Sequence, residues 1–267
     1  MKVYCKNMVE FMERLAPPVL AEEWDNVGLM LGNAEKEVRK VLLCLDVTAD
    51  VVEEAVGLGI DLIISHHPFI FKKLGRINEE DVQGRLIYKL IKGGICVYSA
   101  HTNLDVAESG VNRTLAAKLE LEAVEKLKEA NKAPLAKDSY GLGAVGYLKN
   151  PINISVFAAQ VKEKLDAGHV RVIGDTEKMV HKIAVFCGSF DGDLAPVVWH
   201  KADVLVTGDV KYHTALDALS LGLCIMDAGH FNTEKIILPV LGKLLKDEFP
   251  EAEIICTNVA QDPFKTY

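Results

Sequence analysis

The stretch VLLCLDVTADVVEEAVGLGIDLIIS, residues 41–65, decides the fold class. Its two apolar runs, VLLCLD (41–46) and DLIIS (61–65), have the composition of buried strands. Between them, Thr48 is a residue type that begins helices and Gly59 is one that ends them. A strand, a helix and a second strand in this order predict two parallel strands joined by a crossover helix.

The same alternation continues on both sides of this stretch and predicts an α/β fold with mostly parallel strands. The run ICVYSA (95–100) adds a third strand, and KIAVFC (182–187), DVLVTG (203–208) and CIMDAG (224–229) repeat the scheme. The strand starts are 21 positions apart in each half, from 41 to 62 and from 183 to 204. We therefore predict two similar lobes from an internal duplication, residues 1–135 and 136–267, with a metal site between them.

Three further elements are predicted around the second lobe. The charged stretch Glu120–Lys132 is typical of a helix, and Pro134 and Ser139 indicate a turn after it. A long helix is expected from Thr233 onward.

Composition and charge exclude several classes of function. The chain has 267 residues, 49% of them hydrophobic and 25% charged, and a net charge of -8. An acidic surface disfavours a nucleic-acid or membrane-surface role, because phosphate backbones and anionic lipids repel it. The apolar runs are far shorter than the about 20 residues of a membrane span, and the first residues do not resemble a secretion signal. We expect a cytoplasmic protein with no membrane partner.

The six cysteines predict neither a zinc ribbon nor a redox motif. They lie at least 32 positions apart and form no CxxC pair. We assign them no chemistry.

Imidazole and carboxylate side chains follow three of the predicted strands. The segments are SHHPF (65–69), AHTNLD (100–105) and DAGHFNTE (227–234). Functional residues of open α/β sheets lie past the carboxyl ends of strands, so these segments are expected at such edges. The candidate metal ligands are His66, His67, His101, Asp105, His230 and Glu234.

Spacing strengthens this interpretation. His101 and His230 each lie six positions after a strand start, and Asp105 and Glu234 each lie ten positions after it. A His-His-Pro segment alone is also typical of a turn, but four of the eight histidines fall at strand ends.

Nitrogen and oxygen ligands without thiolate suit Zn, Mn, Fe, Co or Ni. Two such ions carry charge +4, which two carboxylates only halve, and this indicates a binuclear hydrolase.

Two other segments leave alternatives open. Asp209, in GDVKYHTALDA (208–218), has either a functional role near the metal or a structural role as a charge at a helix N-terminus. Trp24, in EEWDNVGLMLG (22–32), either frames a ring of a ligand or packs in a turn with Asp25 and Asn26, and we favour packing. Glycine-rich phosphate loops and a serine-hydrolase elbow are absent from the sequence.

Five motifs together resemble the Nif-three-like proteins, also called type two GTP cyclohydrolase I homologues. They are EEWDNVGLMLG, SHHPFIF, AHTNLD, GDVKYHTALDA and DAGHFNTE, and they span nearly the whole chain. The resemblance implies a two-lobed α/β fold with a binuclear metal centre in a homohexamer. The chain departs from the family at FCGSFDGD (186–193), where members often carry more glycines.

The resemblance also implies roles for individual residues. By motif position, His66, His67, Asp105, His230 and Glu234 match the family's metal ligands. His101 then lies beside the ligand set rather than in it.

Two functional hypotheses follow. The first is a binuclear metal-dependent hydrolase in which metal-bound hydroxide attacks a purine-ring carbon, as in GTP cyclohydrolase ring opening, or a phosphoryl centre. His101 or Asp209 would move protons, and the substrate would be a small molecule such as a nucleotide. The alternative is a non-catalytic metal-binding regulatory protein or metal chaperone.

Overall fold

The computed structural model describes residues 2–129 and 141–265. It divides into two compact units. The first comprises Met1–Leu104 and Leu238–Gln261, and the second comprises Asp105–Ile237 and Asp262–Tyr267. These positions differ from the boundary expected between residues 135 and 136, and the division into duplicated lobes stays a prediction.

The first unit contains a five-stranded sheet in the order β1-β4-β3-β2-β11. Its strands are β1 (Gly28–Leu31), β2 (Lys40–Cys44), β3 (Leu62–Ser65), β4 (Cys96–Ser99) and β11 (Glu253–Cys256). All neighbours are parallel except β1 and β4. Every residue of β3 and β4 is buried, as expected for parallel strands covered on both faces.

Helices flank this sheet. They are α1 (Cys5–Leu15), α2 (Ala49–Leu58), α3 (Val82–Lys92) and α10 (Ile237–Glu248), and the short α4 (Thr102–Val106) follows β4. The predicted boundaries of α2 are confirmed. The Thr48 side chain accepts a hydrogen bond from the amide of Val51, and Gly59 adopts the left-handed conformation after the last turn.

The second unit contains a six-stranded sheet in the order β5-β6-β8-β9-β10-β7. Its strands are β5 (Glu122–Glu129), β6 (Gly141–Asn153), β7 (Arg171–Ile173), β8 (Met179–Ser189), β9 (Val204–Gly208) and β10 (Cys224–Asp227). Its helices are α5 (Val111–Lys118), α6 (Ile154–Lys164), α7 (Ala195–Trp199), α8 (Tyr212–Ser220) and α9 (His230–Glu234). Parallel pairing is confined to β8, β9 and β10, so this sheet is mixed.

The α/β fold predicted from the sequence is confirmed, and the strand spacing matches the registers. Val41 pairs with Leu62 in the first sheet, and Ile183 pairs with Val204 in the second. In both sheets, residues 21 positions apart in the sequence are therefore paired across neighbouring parallel strands. This is the pattern that a duplication requires, and the duplication itself stays a prediction.

The helix expected over Glu120–Lys132 is wrong. Residues 122–129 form the edge strand β5, which pairs only with β6 and buries only Leu127. The charged side chains that favour a helix are equally suited to a solvent-facing edge strand, and pairing with β6 decides between the two states. Residues 130–132 and the turn expected at Pro134 and Ser139 lie outside the described residues.

The long helix expected from Thr233 is also wrong. The chain forms α9 up to Glu234 and starts α10 at Ile237. The edge strands β1 and β11 were not predicted, because each has only four residues and little alternation.

None of the helices in residues 2–129 and 141–265 has the length and apolar character needed to cross a bilayer.

Candidate functional site

Three histidines come together in the first unit, and we call them the histidine cluster: His66, His67 and His101. The first two follow β3, and the third follows β4. Their potential ligand atoms all lie within 4.8 Å of one another. The ring centroids of His66 and His67 are 4.9 Å apart, and those of His66 and His101 are 5.3 Å apart. The strand-end pattern in the sequence therefore brings these side chains to one point.

Backbone pairing fixes the first two histidines. The amides of His66 and His67 donate to the carbonyls of Cys44 and Leu45, at 3.1 and 2.8 Å, and so prolong the pairing of β2 with β3. The side chain of His66 is buried, with 2% of the residue exposed. The cluster is thus built on the sheet itself rather than on a free loop.

Every Nδ1 atom of the histidine cluster lies at hydrogen-bonding distance from an oxygen acceptor. The pairs are His66 with the Ala100 carbonyl (3.0 Å), His67 with Asp46 (2.9 Å) and His101 with Asp25 (2.9 Å). A carbonyl or carboxylate accepts only, so Nδ1 carries the proton and Nε2 becomes the basic nitrogen. This arrangement, with an oxygen acceptor behind each ring, is typical of histidines that bind metal through Nε2.

Asp25 lies behind the His101 ring, a contact that the sequence pattern did not predict. Its side chain is fully buried and accepts from the Nδ1 atom of His101, from the amide of Asn26 and from both the amide and the hydroxyl of Thr102. Burial alone would raise the pKa of Asp25, but the hydrogen bonds and charge from His101 and Thr102 outweigh it and lower the pKa to about 2. Asp25 is therefore an ionised anchor for the His101 ring.

The packing role favoured for Trp24 is wrong. This side chain is 60% exposed. Its indole ring lies 6.0 Å from the His101 ring, measured between centroids. Trp24 thus borders the histidine cluster instead of filling a turn.

The second unit holds a different group, which we call the carboxylate cluster: Asp105, Cys187, His230 and Glu234. Nε2 of His230 lies 3.0 Å from Oε2 of Glu234, one turn further along α9. The thiol of Cys187, at the end of β8, donates to Oδ1 of Asp105 at 3.2 Å. Glu234 is buried, with 3% of the residue exposed, and a buried carboxylate is unfavourable without cationic partners.

Cys187 contributes a protonated thiol to the carboxylate cluster. Burial raises the pKa of this thiol well above its usual range, and the negative charges of Asp105 and Glu234 raise it further. The thiol therefore stays protonated and acts as a hydrogen-bond donor. Nothing in the spacing of Cys187 in the sequence indicates these neighbours, and so no chemistry was expected of this cysteine.

Gly188 provides the space for Glu234. It adopts a left-handed conformation with φ of 63°, and an added Cβ would lie 2.1 Å from Oε1 of Glu234. The amide of Gly188 donates to Thr233 Oγ1 at 2.9 Å. A side chain at position 188 would displace the carboxylate, so the glycine is required by the site.

Asp209 contacts His230 in the second unit. Its Oδ2 atom lies 2.8 Å from Nδ1 of His230. It adopts a left-handed backbone with φ of 53°, which is uncommon for a residue with a side chain. The contact supports the alternative in which Asp209 has a functional role beside a candidate ligand, and its role in proton transfer stays a prediction.

The donor types of the two clusters suit divalent metal ions. The first supplies imidazole nitrogens, and the second supplies carboxylates and one further imidazole. The thiol of Cys187 is protonated and so is no thiolate ligand. Mixed nitrogen and oxygen donors fit Zn, Fe, Mn, Co and Ni. The residues present therefore fit a metal-binding role.

Comparisons with known proteins identify the family of this chain. A sequence model of the Duf34/NIF3 (NGG1p interacting factor 3) family matches residues 3–263. A Clostridium perfringens protein named "GTP cyclohydrolase 1 type 2 homolog" is 36% identical over 263 residues, which cover 97% of this chain and 98% of that protein.

Two solved structures are similar over 99% of both chains. A Staphylococcus aureus hypothetical protein superposes with a TM-score of 0.91 at 31% identity. A Bacillus cereus protein related to NIF3 superposes with a TM-score of 0.90 at 28% identity.

Proposed function

Because this chain belongs to the Duf34/NIF3 family, we propose that it is a hydrolase that works with two divalent metal ions. The ligand set is His66, His67, Asp105, His230 and Glu234. The observation that carries the proposal is the histidine cluster, in which three rings converge and each presents Nε2 as its basic nitrogen.

In this proposal, the carboxylates of the second unit balance part of the charge of the two ions. Two divalent ions carry charge +4, and Asp105 and Glu234 supply −2. The remaining positive charge would favour an anionic substrate. Divalent ions supply Lewis acidity and lower the pKa of water, which is the chemistry that hydrolysis near neutral pH needs.

The chain's own residues orient the ligands and handle protons in this proposal. Asp25 holds the proton of His101 on Nδ1, so Nε2 of His101 can accept a proton from the attacking water or return one to the leaving group. Asp209 holds the ring of His230 in the same way. His101 is the proposed catalytic base, and Asp25 and Asp209 are positioning residues.

The proposed substrate is a small molecule with a nucleotide as the preferred class. The name of the Clostridium perfringens relative refers to GTP, and we propose GTP as the first substrate to test. The reaction would be ring opening of the purine or hydrolysis of a phosphoester. The cytoplasmic location and the homohexamer stay predictions.

The test combines metal analysis with an activity screen. Purified protein is analysed for bound elements and then assayed with GTP, other nucleotides and phosphodiesters. We expect two divalent ions per chain and turnover of at least one compound. Asp105→Ala should remove both, whereas His169→Ala, which changes a histidine outside both clusters, should leave both unchanged.

Two results would contradict the hydrolase. Bound metal with no turnover of any compound would favour the non-catalytic metal-binding protein. Turnover that persists in Asp105→Ala protein without bound metal would exclude the proposed centre.

A further inference from the structure

An exposed pair of aromatic side chains borders the histidine cluster, and we call Trp24 and Phe71 the aromatic pair. They are 60% and 49% exposed, and their ring centroids are 6.0 Å apart with an interplanar angle of 71°. Trp24 also lies 6.0 Å from the His101 ring at 72°. Two large apolar surfaces next to a polar, metal-binding group are typical of a ligand site.

The loop that carries Trp24 is held rigidly although its indole is uncovered. The amide of Glu22 donates to the Thr102 hydroxyl at 3.0 Å, and Asp25 on the other side accepts from Thr102 and His101. The amide of Asp25 closes the turn by donating to the carbonyl of Glu22. Trp24 is therefore positioned by the same hydrogen bonds that orient His101.

Phe71 is fixed to this loop by a second contact. Nδ2 of Asn26 donates to the carbonyl of Ile70, the residue before Phe71, at 2.5 Å. Phe69, two residues earlier, is buried in the core of the first unit. Because these side chains are already ordered, binding of a ligand ring between them costs less conformational entropy.

Charge next to the aromatic pair indicates the class of ligand. Lys72 and Lys73 follow Phe71 directly, and Arg76 lies three positions further on. All three are exposed, and residues 71–76 contain no acidic residue. In a chain with net charge -8, three positive charges within five residues form a local exception that favours a phosphate. A planar ring joined to a phosphate is a nucleotide.

We propose that Trp24 and Phe71 form a stacking subsite that holds the base of a nucleotide beside the histidine cluster, with Lys72, Lys73 and Arg76 attracting its phosphate. This subsite rests on the proposed function because it specifies the substrate class of the same centre. Stacking recognises the flat face of any base, so the subsite selects for a heteroaromatic ring rather than for one purine.

The fluorescence of Trp24 gives a direct test. The chain has two tryptophans, so Trp199→Phe leaves Trp24 as the only one. Guanosine monophosphate is added to this variant with and without bound metal. We expect saturable quenching by guanosine monophosphate, weaker quenching by guanosine, and none by ribose 5-phosphate.

Matched variants measure the contribution of each ring by equilibrium dialysis. Trp24→Ala should weaken binding of guanosine monophosphate about tenfold, which is within the range measured for base–aromatic stacking. Trp24→Phe should retain most of the affinity, and Phe71→Ala should lose part of it. Trp199→Ala removes the other exposed tryptophan, which is 77% exposed, and should change nothing.

Three results would overturn the subsite: no quenching of Trp24, equal losses in Trp24→Ala and Trp199→Ala, or an altered assembly mass in Trp24→Ala with unchanged nucleotide binding. The third would make the aromatic pair an interface between copies of the chain. Failure of the hydrolase is distinguishable, because quenching without turnover contradicts only the proposed reaction. If the Trp24→Ala variant turns over substrate at an unchanged rate, only the subsite is contradicted.

Discussion

The two units supply candidate metal ligands of opposite character. The histidine cluster of the first unit consists of imidazole rings whose Nδ1 atoms are held by oxygen acceptors. The carboxylate cluster of the second unit contains buried acidic groups with a protonated thiol and one imidazole. Neutral nitrogens give selectivity for transition metals, whereas carboxylates balance the charge of an ion. The comparison suggests that loss of a carboxylate costs more bound metal than loss of one ring.

The largest expected effect comes from removing a buried carboxylate. Glu234→Ala should lower metal affinity by more than about 100-fold, since even residues that only support ligands contribute about 10- to 100-fold. His67→Ala should lower it less, because two other imidazoles remain nearby. Elemental analysis after dialysis against a chelator measures both. Equal metal retention in the two variants would break the comparison between the clusters.

The next effect tests the space that the carboxylate cluster needs. Gly188→Ala should destabilise the fold by about 2 to 4 kcal/mol, because it combines a left-handed backbone with a Cβ 2.1 Å from Oε1 of Glu234. Gly59→Ala is the matched control, since Gly59 has a similar φ of 65° and open space around it. Urea unfolding compares the two. A similar loss of stability in both variants would show that the Glu234 carboxylate does not restrict the side chain at position 188.

A smaller effect concerns the acid stability of the first unit. The pKa of Asp25 is about 2 in the folded protein and close to 3.8 in an unfolded chain. The ionised form therefore adds stability above pH 4, roughly 2 kcal/mol, and this contribution disappears as the pH falls through about 2.

Asp25→Asn should remove that contribution and flatten the pH dependence of unfolding between roughly pH 4 and 2. It should leave metal affinity unchanged, because His101 lies outside the proposed ligand set, and should lower turnover by releasing the ring of the proposed base. Acid-dependent urea unfolding, metal titration and turnover are the measurements. An unchanged acid profile would argue against Asp25 as the ionised anchor of His101.

The smallest expected effect is at Cys187. Cys187→Ser keeps a donor to Asp105 and should change stability by less than about 1 kcal/mol, whereas Cys187→Ala loses the hydrogen bond and should cost about 1 to 2 kcal/mol. In the folded protein the thiol should resist alkylation at mildly alkaline pH, because its pKa is raised. Rapid alkylation under native conditions would contradict this description of the carboxylate cluster.

The sequence predicts the parts of the site that depend on strand order. His66, His67 and His101 follow neighbouring parallel strands, and the carboxyl ends of such strands share one edge of a sheet. The partners that orient these rings are not predictable in this way. Asp25 is 76 positions from His101 and comes from a turn with no periodic pattern. Its role emerges only when the first unit is folded.

The same reasoning explains the errors in the fold. A charged segment such as residues 122–129 has no apolar alternation to distinguish a helix from an edge strand, and its state is decided by β6. Cys187 likewise gains its role from Asp105, which is 82 positions away. Local patterns predict elements and strand ends, whereas long-range partners depend on tertiary structure.

The position of β11 has a consequence for synthesis on the ribosome. Residues 253–256 pair with β2, although β2 itself is made more than two hundred residues earlier. Until they emerge, the nascent first unit displays an unpaired β2 edge that can bind other extended chains. Shielding of this edge by a chaperone during translation would protect the growing polypeptide, and a fragment ending at residue 104 should aggregate unless a peptide of the β11 sequence is supplied.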